Sequence, residues 1–361
     1  IAITKHQYTA SADSLRPSYA VNDSFPAVKP RWTFASDANV ISTPATDGKM
    51  VFFGNSLGRI DALRYSDGKK QWSFQTAGSV FSSPALQDGR LVVGSGDGKV
   101  YCLSAANGKQ VWQFVTGAAV LGSPLIAGKT VYIGGSDHHF YALDLQTGKK
   151  LWQFEGLTGP VMSTPVLYRD YLIFGAWDRN LYALDAATGQ LRWQWNNGSS
   201  VLNFSPAACI PVVKDEVVYV VAPDRYLTAI DLTTGQTLWR NNEATVRESI
   251  GISADGRYVY GKTMNDFIVA FPTSREKSGV AWKVNCAFGY EHVPSMLIEN
   301  KNTIYFGTKS GRVYAVDAVQ QTRKWAYKID NSMVNTVRVT GDGSILAATM
   351  DGKVALLKVP E

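Results

Sequence analysis

Cysteine is nearly absent from the chain, and the three that occur, Cys102, Cys209 and Cys286, stand far apart. No Cys-x-x-Cys pair and no Cys/His zinc spacing is present, and an odd, scattered set excludes a disulfide framework. Cys102 falls at a small core position, where a buried free thiol is expected. Histidine is equally scarce. His6, His138, His139 and His292 lie in no motif with Ser or Cys, so a nucleophilic triad has no support. His138 and His139 are adjacent, and neighbours in an extended segment point to opposite sides, so the pair is read as a solvated loop rather than a metal site.

Long hydrophobic runs are missing too. None approaches the roughly 18 residues that a membrane-spanning helix needs. Charge is sparse at 18%, with a formal net charge of +6. The basic residues are scattered, apart from doublets such as Lys69-Lys70 and Lys149-Lys150 behind turn glycines, which read as solvated turns. No stripe of basic and aromatic residues points to nucleic acid. Gly94-Ser95-Gly96 falls in a hairpin rather than before a helix, so it is a turn and not a phosphate cradle.

What the chain does have is tryptophan at a regular interval. Trp32, Trp72, Trp112 and Trp152 are each 40 residues apart, and Trp193, Trp239, Trp282 and Trp325 continue the series at 41, 46, 43 and 43. A period in the forties filled with short strands and turns is the signature of β-propeller blades. One unit runs from Ser83 to Val120 and holds four β-rich runs, Ser83–Leu86, Leu91–Gly94, Val100–Leu103 and Val111–Phe114. Asp88-Gly89, Asp97-Gly98 and Asn107-Gly108 separate them and suit tight hairpins. Pro44, Pro84, Pro124, Pro165, Pro206 and Pro294 open most first strands. Proline lacks a ladder donor, so these are expected to be inner edge strands lining a channel.

The turn between strands three and four carries the pattern Ala-x-Asp-x-x-Thr-Gly-x-x-x-Trp, as in Ala142, Asp144, Thr147, Gly148 and Trp152. Asp accepts the turn's own N–H groups and Gly supplies a left-handed position. The eight Trp rings are expected to lie flat between neighbouring blades. The pattern decays at Arg64, Cys102 and Gln321, and blade six loses the turn in Ala270-Phe271-Pro272-Thr273.

The chain ends on a third strand, Val354–Val359, while Arg31-Trp32-Thr33-Phe34 reads as a fourth strand ahead of blade one. The expectation is an all-β, eight-bladed propeller of four-stranded antiparallel blades over 31–361. Its last blade is closed by the N-terminal strand, and residues 1–30 form an extended arm.

The repeat resembles the pyrroloquinoline quinone (PQQ) repeat family over roughly residues 31–361. That family includes PQQ-dependent alcohol dehydrogenases, the outer-membrane assembly lipoprotein BamB, and propeller modules joined to calcineurin-like phosphoesterases. The resemblance to its BamB-like members implies a non-catalytic, monomeric scaffold, without cofactor, for protein partners in the bacterial cell envelope. Its location would be periplasmic or outer-membrane-associated, and any lipid anchor would lie in a leader ahead of Ile1. Alternative implications are the accessory module of a longer phosphoesterase, or a dehydrogenase binding PQQ and Ca²⁺ with a quinone stacked on Trp177. Against the dehydrogenase stand the lack of adjacent cysteines and of long insertions. Against a phosphoesterase within this chain stands the lack of Asp-x-His or Gly-Asn-His in residues 1–30.

The loops joining strands two and three, and those joining blades, are expected on one face around the channel. They carry Asp97, Asp137, Trp177, Asp178, Arg179, Asp224, Arg225, Tyr226, Asn265, Asp266 and Asp351, with Asn203, Phe204, Arg247, Glu248, Tyr290, Glu291, His292 and Asn335 between blades. Of these, Trp177–Arg179, Asn203-Phe204, Asp224–Tyr226, Arg247-Glu248 and Tyr290–His292 are the candidate partner-binding face. Segments 196–204, 241–250 and 285–295 are expected to be enlarged interblade loops.

Overall fold

The computed structural model describes residues 19–198 and 206–360. They form eight four-stranded antiparallel sheets, each with its strands in chain order except the last. Blade two shows the rule: Ala85–Gln87, Arg90–Ser95, Lys99–Ser104 and Gln110–Val115. The second and third strands are almost wholly buried on both faces because each blade is sandwiched between two others. The fourth strand alternates, with one side facing solvent. In the eighth blade the Lys29–Ala35 strand pairs antiparallel with Lys353–Lys358, from Lys29 opposite Lys358 to Ala35 opposite Lys353. The ring therefore closes as the sequence implies. Asn22, in a short 3₁₀ turn (Tyr19–Asn22), holds the arm to blade seven by exchanging hydrogen bonds with the Lys328 backbone.

Each interblade Trp reaches into the next blade. The Trp72 indole N–H donates to Ala105 O at 3.0 Å, Trp112 to Leu145 O at 2.9 Å, Trp152 to Ala186 O at 3.1 Å and Trp32 to Tyr65 O at 2.7 Å. The ring also lies on the glycine turn between strands three and four of that next blade. A Cβ built on Gly108 would come within 2.6 Å of Trp72, and Gly108 has φ +71°. The motif glycine thus answers to the neighbouring blade as well as to its own turn. Asp144 Oδ1 accepts from the Gln146 N–H, the Thr147 N–H and the Thr147 hydroxyl, which freezes the turn that the Trp covers. Blade six keeps the cap without the turn, since Ser274 O accepts the Trp239 N–H at 3.1 Å.

Most of the prolines sit just ahead of the innermost strands, as at Pro84 before Ala85–Gln87, but Pro206 begins a 3₁₀ turn, Pro206–Ala208, well before Val212–Lys214, and Pro294 stands three residues short of Ile298–Asn300. Beside the prolines, hydroxyls stitch the innermost strands together. Ser83 Oγ accepts from the Thr43 N–H and Ser123 Oγ from the Ser83 N–H, both at 2.9 Å. All three cysteines are buried and free. Burial pushes each thiol up to about 12, so they behave as packing groups.

Two of the expected enlarged loops are strand for half or more of their length, which leaves 242–245 and 291–295 as connections. Trp282–Tyr290 continues as one nine-residue strand because Trp282, Val284, Cys286 and Phe288 alternate inward. Val246–Ile252 is the innermost strand of blade six, and the register slips between Val246 and Ile250, bulging Arg247 and Glu248 out of the ladder. In the third segment, the Leu191–Asn196 strand ends at its first residue and residues 199–204, with Asn203 and Phe204, lie outside the described residues.

Candidate functional site: the face of the two–three loops

The loops joining strands two and three do meet the interblade connections on one face, and their carboxylates are what join them. Asp97 accepts from the Ala77 N–H (3.0 Å) and the Tyr101 hydroxyl (2.8 Å). Asp137 does the same with Gly117 N–H (2.8 Å) and Tyr141 (2.6 Å), and Asp178 with Thr158 N–H (3.1 Å) and Tyr182 (2.7 Å). The aspartate of one blade thereby clamps the chain arriving from the previous blade. Burial first, and then the adjoining carboxylate, push these three phenols well above their ordinary range, so they remain donors at any physiological pH. The spacing Asp-x-x-x-Tyr was visible in the sequence, but the connection it clamps comes from the preceding repeat.

In blade five the clamp changes hands. Asp224 takes the Asn197 side-chain N–H at 2.8 Å and pairs with Arg240, whose guanidinium lies 4.4 Å from the Tyr226 ring centroid. In blade six, Asp266 accepts the Gly289 N–H at 2.6 Å. In blade seven, the Lys309 N–H is held by Glu291, which comes from the connection instead of the loop.

Glu291 belongs to a buried charge cluster. Lys262 Nζ lies 3.3 Å from Glu291 Oε2 and also donates to Val293 O and Gly307 O. Burial lowers the Lys262 pKa, with Glu291 opposing. Glu248 is pushed up by burial, and Arg247 and Lys262 pull the other way. Arg247 Nε lies 3.6 Å from Glu248 Oε1, beyond hydrogen-bond reach. Tyr290 and His292 stand outside this cluster, exposed, with ring centroids 5.6 Å apart and Lys309 Nζ over the Tyr290 ring.

The same loops hold a feature that the sequence reading did not use. At their third or fourth position, blades one, two, seven and eight place glycine in the left-handed region: Gly58, Gly98, Gly311 and Gly352. Blades three to six place His138 (φ 64°), Arg179 (φ 76°), Arg225 (φ 68°) and Asp266 (φ 62°) there instead. A side chain in that region costs about 1–2 kcal/mol. The signal was legible as a glycine missing from four successive repeats. Left-handed pairs also occur on the opposite face, at Asp215-Glu216 and Lys301-Asn302, where two-residue hairpins demand them.

Next to Arg179, the Trp177 backbone N–H is bonded to Pro160 O. Its indole N–H is buried and meets no acceptor among the described residues. Asn265, Asp351 and Asn335 are tied into the scaffold. Asn265 pairs opposite Tyr290, the Asp351 N–H donates to Ser332, and Asn335 donates to Val40 O. His139 lies 3.7 Å from Asp137, and among the described residues no group of three or more His, Cys, Asp or Glu is placed to hold a metal.

The family model described as outer membrane protein assembly factor BamB matches residues 27–85, 58–284 and 179–359, nearly the whole propeller. The chain belongs to that family. Among solved structures, BamB from Moraxella catarrhalis superposes with a TM-score of 0.74 at 20% identity, covering 92% of this chain and 98% of that one. The computationally designed Ika8 protein superposes at 0.77 with 16% identity, covering 92% and 100%. A quinohemoprotein alcohol dehydrogenase from Comamonas testosteroni superposes at 0.76 with 15% identity, over 96% of this chain and 79% of that one. At such identities the likeness is one of fold, shared by a BamB and by enzymes alike. No curated protein sequence matches the chain. Among the described residues, no helix of this BamB-family propeller is long and apolar enough to cross a membrane.

Proposed function

We propose that this BamB-family propeller is a non-catalytic docking scaffold in the bacterial cell envelope, and that its partner is a protein of outer-membrane assembly. The loops of blades three to five form the docking face. The observation that carries this reading is the run of His138, Arg179 and Arg225 at positions where four other blades use glycine. Backbone strain is kept where the side chain is needed, and here four successive blades keep it on one face, His138, Arg179 and Arg225 with basic or aromatic side chains and Asp266 with an acid. Trp177, half-buried beside Arg179, adds an aromatic side chain of the kind that anchors interfaces. Tyr290 and His292 extend the face toward blades six and seven.

The carboxylates of this face do not fit a quinone–calcium site. A hard cation needs several oxygens free to converge. Asp97, Asp137 and Asp178 are bound to tyrosine and backbone N–H groups, Asp224 to Arg240, and Glu291 to Lys262.

The test is a binding titration between the purified protein and the remaining outer-membrane assembly complex from the same cells. Trp177→Ala and Arg225→Glu are each expected to weaken binding at least about tenfold, the effect of losing an interface anchor. The melting temperature of Arg225→Glu should stay within about 2 °C of the parent, as expected for an exposed side chain. Parental affinity in both variants would sink the reading.

A further inference from the structure

The innermost strands enclose a cavity of about 550 Å³ on the propeller axis. Its wall is made of apolar side chains, among them Ile41, Ile126, Met162 and Met296, and of hydroxyls such as Ser83 and Thr336. One charged side chain lines it, Arg338. Arg338 begins the innermost strand of blade eight, two residues before Thr340 opens the turn to the second strand, at the channel end away from Trp177 and Asp178.

Arg338 Nε donates to Pro44 O at 2.8 Å, which fixes the plane of the guanidinium. The two Nη groups have no hydrogen-bond acceptor and no ion-pair partner among the described residues. Surrounding protein lowers its pKa, and no acidic group acts on it. The side chain is nonetheless reached by solvent, because it stands in the channel. Arginine stays protonated in such a setting, so the cavity carries one uncompensated positive charge. Among the described residues, fifteen Lys or Arg contacts are matched with carboxylates, including the buried Lys262 with Glu291.

We propose that the axial cavity is a binding site for a small organic acid, whose carboxylate is held by the Nη groups of Arg338 and whose apolar body packs among the channel's isoleucines and methionines. The volume lies within the usual range for small-molecule sites, and a preset planar fork is the geometry that a carboxylate takes in two parallel hydrogen bonds. This site is independent of the docking face and of any partner bound there.

The cavity supplies its own reporters. Of the six methionines, Met162, Met296 and Met333 line it, while Met50, Met264 and Met350 do not. The protein with ¹³C-methyl methionine would be titrated with 4-phenylbutyrate and, separately, with its neutral amide. Saturable shifts confined to Met162, Met296 and Met333, with the acid binding about ten- to a hundredfold tighter than the amide, are expected. Arg338→Gln should bring the acid down to the affinity of the amide, and Arg338→Lys should restore part of the difference. Equal affinity of acid and amide for the parent protein, or shifts that avoid the three cavity methionines, would overturn the proposal even if neither variant folds.

Discussion

At the scale of single residues, the informative positions are those that break a repeat. Arg225 sits in a left-handed conformation, exposed, and its only described bond is from its backbone N–H to Ala222 O. Replacing it with glycine relieves about 1–2 kcal/mol of strain and costs about 0.5–1 kcal/mol in chain entropy. Arg225→Gly should therefore leave urea stability unchanged or raise it by up to about 1 kcal/mol, while the partner titration weakens. A loss of stability beyond about 1 kcal/mol would show that the side chain serves the fold.

Asp185 shows how a turn residue ties stability to pH. The Arg192 guanidinium, and then the Thr188 N–H, hold its carboxyl down to about 2. A depressed acid stabilises the folded state above its unfolded pKa and loses that contribution as pH falls through the folded one. Asp185→Asn should accordingly be less stable than the parent at pH 7, and the gap should close as pH drops from about 4 to about 2 in a denaturant series. A gap that persists at pH 2 would assign the effect to shape rather than charge. The role of this Asp could be read from the sequence, because its partners lie within its own turn. That of Asp97, Asp137 and Asp178 could not, because the N–H each one clamps comes from about 20 residues earlier, in another blade.

At the scale of the element, the unit that matters is a Trp on one blade with a glycine turn on the next. Gly108→Ala would force a Cβ to within 2.6 Å of Trp72 in a backbone conformation that disfavours it. The expected cost is about 2–5 kcal/mol, strain and overpacking together, measured by chemical denaturation. Gly89, equally left-handed but with nothing within 4 Å, is the matched control and should lose less. Blade number, strand order and the Trp contacts were all legible, since each follows from a period and a two-residue alternation. The extended strand Trp282–Tyr290 was legible too, in its inward Trp282, Val284, Cys286 and Phe288, but a growing repeat length suggested loops there. The bulge at Arg247-Glu248 was not, because register is set by pairing across the blade.

At the scale of the whole molecule, stability rests on closure. Removing residues up to Ala35 would strip the partner from Lys353–Lys358 and take Trp32 out of its contact with blade one. The outer edge of Lys353–Lys358 would then be open to pairing with other chains. The shortened protein should melt at a lower temperature and sediment as dimers or larger species, and a monomer with parental melting would show that the seam contributes little.

The seam also orders events in time. Seven blades are built from strands that leave the ribosome one after another, so each can fold as it appears. The eighth must hold Lys29–Ala35 in reserve until Lys353–Lys358 has been made. A ring that has shut is therefore a sign that translation passed residue 353. A product truncated before that point keeps an unmated strand at its front and, with it, an edge open to other chains.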